Sequence, residues 1–276
     1  LKGLPAVYAA EEEAQTLIIY MKDQVTGLQV ELLYGVLPEY DVITRSAKVI
    51  NTEEDKIRLT KAQAACIDFV HGEFDIISFY GRHAMERNMQ RTPAGHGAFV
   101  IGSRRGTSSH QYNPMMILAE KETTEDAGTC YGMSFVYSGG FKAEVEKDQF
   151  GQTRMQMGLQ EEQFSYPLEK GEEFVIPEVM LTCSSQGLGK LSQNLQRCIR
   201  KNLCRGKYKE KVRPILINSW EAFYFDFDAP KLLILQEKIS IILPSRQRIW
   251  ESIWLYWTMD GLEVEMMTTV DLATGR

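Results

Sequence analysis

The sequence has little that would separate it from ordinary globular proteins. No apolar run approaches the roughly 20 residues that a membrane-spanning helix needs, and the N-terminus shows no signal-peptide pattern. The net charge is −6 and no basic block occurs, so neither nucleic acid nor a membrane is an expected partner. Residues 187–190 have neither the length nor the Ser or Thr of a phosphate-binding P-loop. A neutral ligand such as a sugar is compatible with all of these absences.

Cysteine is also scarce, with five residues at irregular spacings and no CxxC pair. A disulfide framework or a structural zinc site is therefore not expected. We expect free, buried thiols in a protein of the reducing cytoplasm. His71, His83 and His96 are scattered without the spacing of metal ligands, so we expect no metal and no cofactor. The cysteines are Cys66, Cys130, Cys183, Cys198 and Cys204.

The first 185 residues have the pattern of many short strands. Residues 141–147 alternate apolar and polar side chains, as a strand with one solvated face does. Residues 16–22 and 28–34 flank a Thr-Gly turn and predict a hairpin. Strands separated by Gly, Asn and Asp, without intervening helices, predict a mainly β fold built as a large antiparallel sandwich. Further predicted strands are residues 56–69, 74–80, 115–119, 133–137 and 174–181.

The periodicity then changes to that of a helix. Leu188, Leu191, Leu195 and Cys198 fall on one helical face, and Gly206 follows as a stop signal. We interpret this helix as a linker between the sandwich and the next domain. Because the sandwich strands supply their own burial, we expect residues 1–185 to be stable alone.

Residues 212–227 carry the strongest candidate for a binding residue. Pro214 starts an apolar run that is typical of a buried strand, and small and polar residues around Trp220 follow it. In an α/β barrel the carboxyl ends of the strands carry the ligand-binding groups. The Trp220 indole is suited to packing against a sugar ring while donating one hydrogen bond. The alternative is a tryptophan that packs in the top layer of the barrel.

Three carboxylates near Trp220 have simpler interpretations. Glu221 is typical of a structural hydrogen-bonding residue. Asp226 and Asp228 precede a Pro at the start of a predicted helix, so we expect them to cap it.

The chain resembles the α-galactosidases of glycoside hydrolase family 36. The resemblance covers roughly residues 1–235 and rests on "SRRGTSSHQYNP", "FVYSGGFKAEVEKDQFGQTRMQMG", "LCRGK" and "PILINSWEAFYFDFD". It implies an N-terminal β-supersandwich before a (β/α)8 barrel, with Trp220 lining a galactose pocket. It also implies hydrolysis of melibiose- or raffinose-type α-galactosides with retention, in which one aspartate attacks and another acts as acid and base.

Arg104, Arg105, Ser108, Ser109 and His110 form a cluster that superficially resembles an acyl-transfer site. Adjacent Ser and His residues are not how triads are built, since triad members are usually distant in sequence. We therefore predict a hydrogen-bonded loop of the β-domain here.

The resemblance stops near residue 237. Only 63 residues follow Arg213, whereas a (β/α)8 barrel takes about 250. The family's "LDDGW" motif and its catalytic aspartates are missing, so we assign no catalytic residue. The codons of residues 256–261, read two bases later, are compatible with "LDDGW", which suggests a frameshifted tail. The predicted domains are an N-terminally incomplete supersandwich (1–186), a linker helix (187–208), the start of the barrel (209–237) and the tail (238–276).

Two functions from different classes fit these features. The first is an α-galactosidase present here as a truncated, inactive chain, whose complete enzyme is a candidate homo-oligomer. The second is a non-enzymatic carbohydrate-binding or interaction sandwich, favoured by the lack of catalytic carboxylates. A damaged gene with a nonfunctional product is a third possibility.

Overall fold

The computed structural model describes residues 1–162, 164–211, 223–226, 228–231 and 233–234, with short strands between residues 253 and 268. It divides into two compact units, Leu1–Cys204 and Arg205–Arg276. The described part of the first unit contains fifteen strands and one α-helix. These are β1 Gln15–Lys22, β2 Gln29–Leu37, β3 Val42–Ile50, β4 Ile57–Leu59, β5 Gln63–Phe69, β6 Phe74–Arg82, β7 Met85–Pro93, β8 Gly97–Gly102, β9 Tyr112–Glu120, β10 Cys130–Val136, β11 Phe141–Lys147, β12 Thr153–Leu159, β13 Tyr166–Leu168, β14 Glu173–Val175, β15 Glu178–Ser184 and α1 Gly187–Cys198. A 3₁₀ turn, Pro38–Tyr40, follows β2, and α1 continues as a π-helical turn, Ile199–Leu203.

The strands of the first unit form two main antiparallel sheets. The larger has the order β1-β2-β3-β15-β10-β9-β6-β7, with β14 also paired to β3. The smaller has the order β5-β12-β11-β8, and β4 pairs with β13 separately. The predicted hairpin is confirmed, because β1 and β2 pair from Gln15–Val36 to Lys22–Gln29 around Gly27, which has a φ of +65°. The predicted mainly β, antiparallel fold is therefore confirmed.

The main core lies between the two sheets, and strand alternation selects its members. In β9, Met116 and Leu118 point into this core, while Ile117 and Ala119 point to the opposite face of the large sheet. The small sheet contributes the alternate residues of β11 and β12, which are fully or almost fully buried. Two-residue periodicity thus gives the large sheet two apolar faces, and each must be covered. The small-sheet residues in this core include Phe141, Ala143, Val145, Met155 and Met157.

Helix α1 covers the second apolar face of the large sheet. Leu191, Leu195 and Cys198 are 0 to 4% exposed and pack in one cluster with Ile117 and Met180. The predicted apolar face of the helix is therefore confirmed. The helix was interpreted as a linker, but here it belongs to the same compact unit as the sandwich. The boundary at residue 186 stays a prediction.

A loop between β9 and β10 caps the start of α1. The backbone N–H groups of Leu188 and Gly189 donate to the carbonyl oxygens of Thr124 and Glu125 at 3.0 and 2.9 Å. These bonds satisfy helix N–H groups that have no partner inside the helix. Gly187 has a φ of +79°, and a Cβ there would lie 2.5 Å from the Glu125 carbonyl oxygen, so the approach requires glycine.

The buried carboxylate of Glu178 fastens the N-terminal segment to the large sheet. Its Oε2 accepts the backbone N–H groups of Ala6 and Val7 at 2.8 and 3.0 Å. Its Oε1 accepts the hydroxyl of Thr44 on β3. Asn202, in the turn after α1, donates to the carbonyl oxygen of Tyr8 at 2.9 Å. Polar side chains from β15 and from the turn after α1 therefore hold residues 6–8 in place.

Two predicted strands are wrong as single elements. Residues 56–69 form β4 and β5, which pair with different partners, β13 and β12. Residues 174–181 span β14 and β15, which both pair with β3 but are separated at Pro177. Proline has no N–H to give to a sheet ladder, so it interrupts the pairing there.

In the second unit, the prediction of a helix cap is partly confirmed. The Asp228 carboxylate accepts the backbone N–H of Lys231 at 2.9 Å, and residues 229–231 are helical. Asp226 instead pairs with the Lys231 ammonium at 2.8 Å. The other described elements are β16 Ile253–Leu255, which pairs with β19 Met266–Thr268, and β17 Thr258–Met259, which pairs with β18 Leu262–Glu263. No helix in the described part of the chain has the length and apolarity to cross a membrane.

Candidate functional site

Trp220, the predicted substrate-binding residue, lies outside the described residues, and so does Glu221. The predicted first strand of the barrel, residues 214–217, also lies outside them. The role of Trp220 therefore stays a prediction. The site that the structure does describe lies on the β-sandwich.

The segment after β8 forms a hydrogen-bonded loop, as predicted. The hydroxyl of Ser103 donates to the carbonyl oxygen of Thr107 at 2.6 Å. The hydroxyl of Ser108 donates to the carbonyl oxygen of Ser138 at 3.3 Å, and the hydroxyl of Ser109 accepts the backbone N–H of Gln111 at 3.2 Å. These serine hydroxyls are used in local backbone contacts, which is the role of loop residues rather than nucleophiles.

The loop borders a polar depression that we call the trough. It is formed by residues 100–105 at the end of β8, Lys142 on β11 and residues 160–162 after β12, with Gln111 and Tyr112 at one side. Its volume is about 760 Å³. A second depression of about 560 Å³ adjoins it, because both are lined by Ser103, Arg104, Gln160 and Glu162. Together they are large enough for a small molecule of several rings.

Glycines allow the segments under the trough to approach closely. A Cβ at Gly102 would lie 2.4 Å from the carbonyl oxygen of Phe141, and one at Gly140 would lie 3.0 Å from that of Ser103. Ser103 donates its backbone N–H to the Phe141 carbonyl oxygen at 2.9 Å. These contacts extend the β8–β11 pairing to the loop and hold it in place.

Most of the charged groups of the trough are paired, the exception among the described residues being Arg105. The Lys142 ammonium lies 2.6 Å from both the Glu144 and Glu161 carboxylates, and the Arg104 guanidinium pairs with Glu162. Burial alone would lower the pKa of Lys142, but hydrogen bonds to Glu144 and Glu161 outweigh it and raise that pKa. The hydrogen bond from Lys142 lowers the pKa of Glu161, against a smaller desolvation effect. Both groups are therefore charged at neutral pH.

Aromatic side chains line the second depression. Tyr137 is 43% exposed, while Phe164 and Phe174 are half-buried with ring centroids 5.8 Å apart. A Cβ at Gly139 would lie 2.3 Å from the Tyr137 ring, so that ring rests on a bare stretch of backbone. A fixed, exposed ring beside paired charges is a surface that offers both stacking and hydrogen bonds.

Sequence reasoning found the loop but missed the rest of the trough. Gln160, Glu161 and Glu162 are distant from the loop in sequence, and only the sheet brings them together. The alternation of residues 141–147 did place Lys142 and Glu144 on one face of a strand. It could not show which carboxylate would reach Lys142 from another segment.

The histidines and cysteines do not form a metal site in the part of the chain that the structure describes. All five cysteines lie in that part and are free, as predicted. Burial was expected for all of them, but three are exposed, namely Cys66, Cys183 and Cys204. Cys66 and Cys183 occupy solvated positions on strands and Cys204 follows the π-helical turn, which the sequence pattern did not reveal.

Thiol labelling should separate the two groups of cysteines. Burial raises the pKa of Cys130 to about 11 and that of Cys198 to about 12, so both are protonated at pH 8. We expect Cys66, Cys183 and Cys204 to react with a chromogenic disulfide reagent at pH 8 in the folded protein. The other two should react only in denaturant. Five equally fast thiols in the native protein would contradict the packing of α1 on the sheet.

Comparison with protein families agrees with this architecture. The model described as the Glycosyl hydrolase family 36 N-terminal domain matches residues 1–169, and the Melibiase model matches residues 173–241. The chain belongs to glycoside hydrolase family 36. The second match ends a few residues after residue 238, where the predicted tail begins.

Individual relatives give the same result. The chain is 60% identical over 240 residues to the bifunctional alpha-galactosidase/sucrose kinase AgaSK of Mediterraneibacter gnavus, covering 87% of this chain and 26% of that protein. It is 44% identical over 239 residues to alpha-galactosidase Mel36A of Lactobacillus acidophilus, covering 86% and 33%. The chain therefore spans about a third or less of the length of these relatives.

Solved structures of α-galactosidases match the same part of this chain in fold. The galactosidase domain of AgaSK has a TM-score of 0.82 at 60% identity, covering 88% of this chain and 34% of that one. An alpha-galactosidase AgaA variant from Geobacillus stearothermophilus, in complex with stachyose, has a TM-score of 0.83 at 42% identity, again covering 88% and 34%.

Proposed function

We propose that this chain is part of an α-galactosidase that hydrolyses terminal α-D-galactosyl residues of raffinose- and melibiose-type oligosaccharides with retention. The observation that carries the proposal is the identity of 60% over 240 residues to an alpha-galactosidase/sucrose kinase. Related enzymes in complex with raffinose and stachyose support the substrate class. A cytoplasmic location agrees with the five free cysteines. A homo-oligomer of the complete enzyme stays an expectation.

The chain supplies a scaffold and the beginning of a catalytic barrel in this proposal. Retention needs two carboxyl groups, one as nucleophile and one as acid and base. No residue of this chain is assigned to either role, so the chain alone should be inactive. The proposed contribution to the site is Trp220, whose ring would pack against the galactose.

A chimeric enzyme tests both the family function and the role of Trp220. Residues 1–235 of this chain would replace the matching segment of the AgaSK galactosidase domain, and hydrolysis of a chromogenic α-galactoside would be measured. We expect activity from the chimera and none from the present chain above a buffer blank. Trp220→Ala in the chimera should lower kcat/KM by about 5- to 150-fold, the equivalent of about 1–3 kcal/mol of lost ring packing.

Two controls make that test specific. Trp220→Phe retains an aromatic face and should keep more activity than Trp220→Ala. Tyr80→Ala removes another aromatic side chain, 45% exposed on β6, and should leave kcat/KM unchanged. An inactive but folded chimera would contradict the family function. An unchanged kcat/KM for Trp220→Ala would leave Trp220 as a packing residue.

The alternative function, a carbohydrate-binding sandwich without catalysis, is favoured by one observation. The described residues include a polar trough with an aromatic wall on the β-sandwich itself.

A further inference from the structure

The trough carries charged groups of both signs. Arg104 pairs with Glu162 and Lys142 pairs with Glu161, while Arg105 also lines the trough without an ion pair among the described residues. An anionic ligand would be repelled by Glu161 and Glu162, and a cationic ligand by Lys142 and the arginines. A neutral molecule avoids both repulsions.

Hydroxyl groups fit this arrangement better than other neutral groups. A hydroxyl donates one hydrogen bond and accepts others, so it can bond to a carboxylate and an adjacent ammonium or guanidinium at the same time. The Gln160 side chain adds a donor and an acceptor at the junction of the two depressions. The trough therefore offers alternating donors and acceptors to a polyhydroxylated molecule.

The aromatic wall completes the requirements of a sugar site. A sugar ring has an apolar face formed by its C–H groups, and that face packs against an aromatic ring. Tyr137 is exposed and its ring rests against Gly139, so little side-chain freedom remains to be lost on binding. Phe164 and Phe174 extend the apolar surface next to the Arg104–Glu162 pair.

We propose that the trough and its adjoining depression bind a neutral oligosaccharide. One sugar ring packs on Tyr137, and its hydroxyl groups bond to Arg104, Glu162 and Gln160. The following sugar lies toward Lys142 and Glu161. The choice of a galactose-containing oligosaccharide as the ligand rests on the proposed function, whereas the preference for a neutral sugar rests on the trough alone.

Titration of the complete 276-residue chain with stachyose tests this site without any need for catalysis. Calorimetry and saturation-transfer NMR should show saturable binding. Tyr137→Ala and Arg104→Gln should each weaken it by about tenfold, because one removes the stacking ring and the other a hydrogen-bond donor. Both side chains are exposed, so these variants should fold like the parent chain.

Matched controls lie on the same domain. Arg154 forms an exposed pair with Asp68 on the small sheet, and its guanidinium nitrogen lies 2.7 Å from the carboxylate. Arg154→Gln thus removes the same kind of ion pair outside the trough, and Tyr20→Ala removes an exposed tyrosine on β1, at the edge of the large sheet. Both should bind stachyose like the parent.

Three results would overturn the site: no saturable binding of either stachyose or maltotetraose, equal binding by Tyr137→Ala and the parent, or tighter binding of a sialylated oligosaccharide than of stachyose. Binding of maltotetraose but not stachyose would keep the trough as a neutral-sugar site and contradict the choice of a galactose-containing ligand. An active chimera together with a chain that binds neither oligosaccharide would overturn the site and leave the proposed function intact, so the two proposals fail separately.

Discussion

Glu178→Ala is expected to lower the free energy of unfolding by about 3–5 kcal/mol. The substitution leaves the N–H groups of Ala6 and Val7 and the Thr44 hydroxyl without their acceptor. A buried polar group that loses its partner costs about 1–3 kcal/mol, and local rearrangement will recover part of the sum. Urea unfolding followed by circular dichroism gives the difference directly.

Two variants accompany this measurement. Glu178→Gln keeps one carbonyl oxygen as an acceptor and should cost less than Glu178→Ala. Glu146→Ala changes an exposed glutamate on β11 and should alter the free energy of unfolding by less than about 0.5 kcal/mol. Equal stability of Glu178→Ala and the parent would show that the buried carboxylate does not hold the N-terminal segment.

Removal of helix α1 should have a still larger effect. A chain that ends at Cys204 should fold cooperatively, since it contains all of the first compact unit. A chain that ends at Gln186 should not, because it exposes Ile117, Met180 and their neighbours on the large sheet. Burial of a leucine side chain contributes about 1.5–3 kcal/mol, so losing Leu191 and Leu195 removes much of a typical stability of about 5–15 kcal/mol.

Comparing the chains that end at Gln186 and at Cys204 also shows where the β-sandwich domain ends. If the chain ending at Gln186 had the same unfolding midpoint as the chain ending at Cys204, the helix would be a linker, as its sequence first indicated. We expect instead that the shorter chain binds a hydrophobic dye and aggregates. Leu191→Ala in the longer chain should cost about 2–5 kcal/mol, which separates the contribution of one side chain from that of the whole helix.

Local patterns were enough to predict much of the fold. The alternation of residues 141–147, the Thr-Gly turn and the apolar stripe of α1 each record which face of an element is buried, and the structure confirms all three. Five strands of the first unit were not predicted, namely β3, β7, β8, β12 and β13. Of these, the edge strand β7 and the short strand β13 have neither an apolar stripe nor a cluster of β-branched residues.

The family was likewise recognisable from the sequence alone, because long ungapped motifs carry it and the family models confirm it. The position of Trp220 after a predicted strand remains a sequence-based assignment. Backbone periodicity cannot say more about that residue, since a binding tryptophan and a packing tryptophan have the same pattern.

The sequence by itself determined the antiparallel class, the amphipathic helix and the family, since these depend on spacings within single segments. The tertiary structure alone decided which segments meet. It placed Glu178 beside residues 6 and 7, α1 over the large sheet, and Lys142 beside Glu161. Those contacts join residues far apart in the chain, and they arise from strand order and register rather than from any local pattern. The trough exists for the same reason.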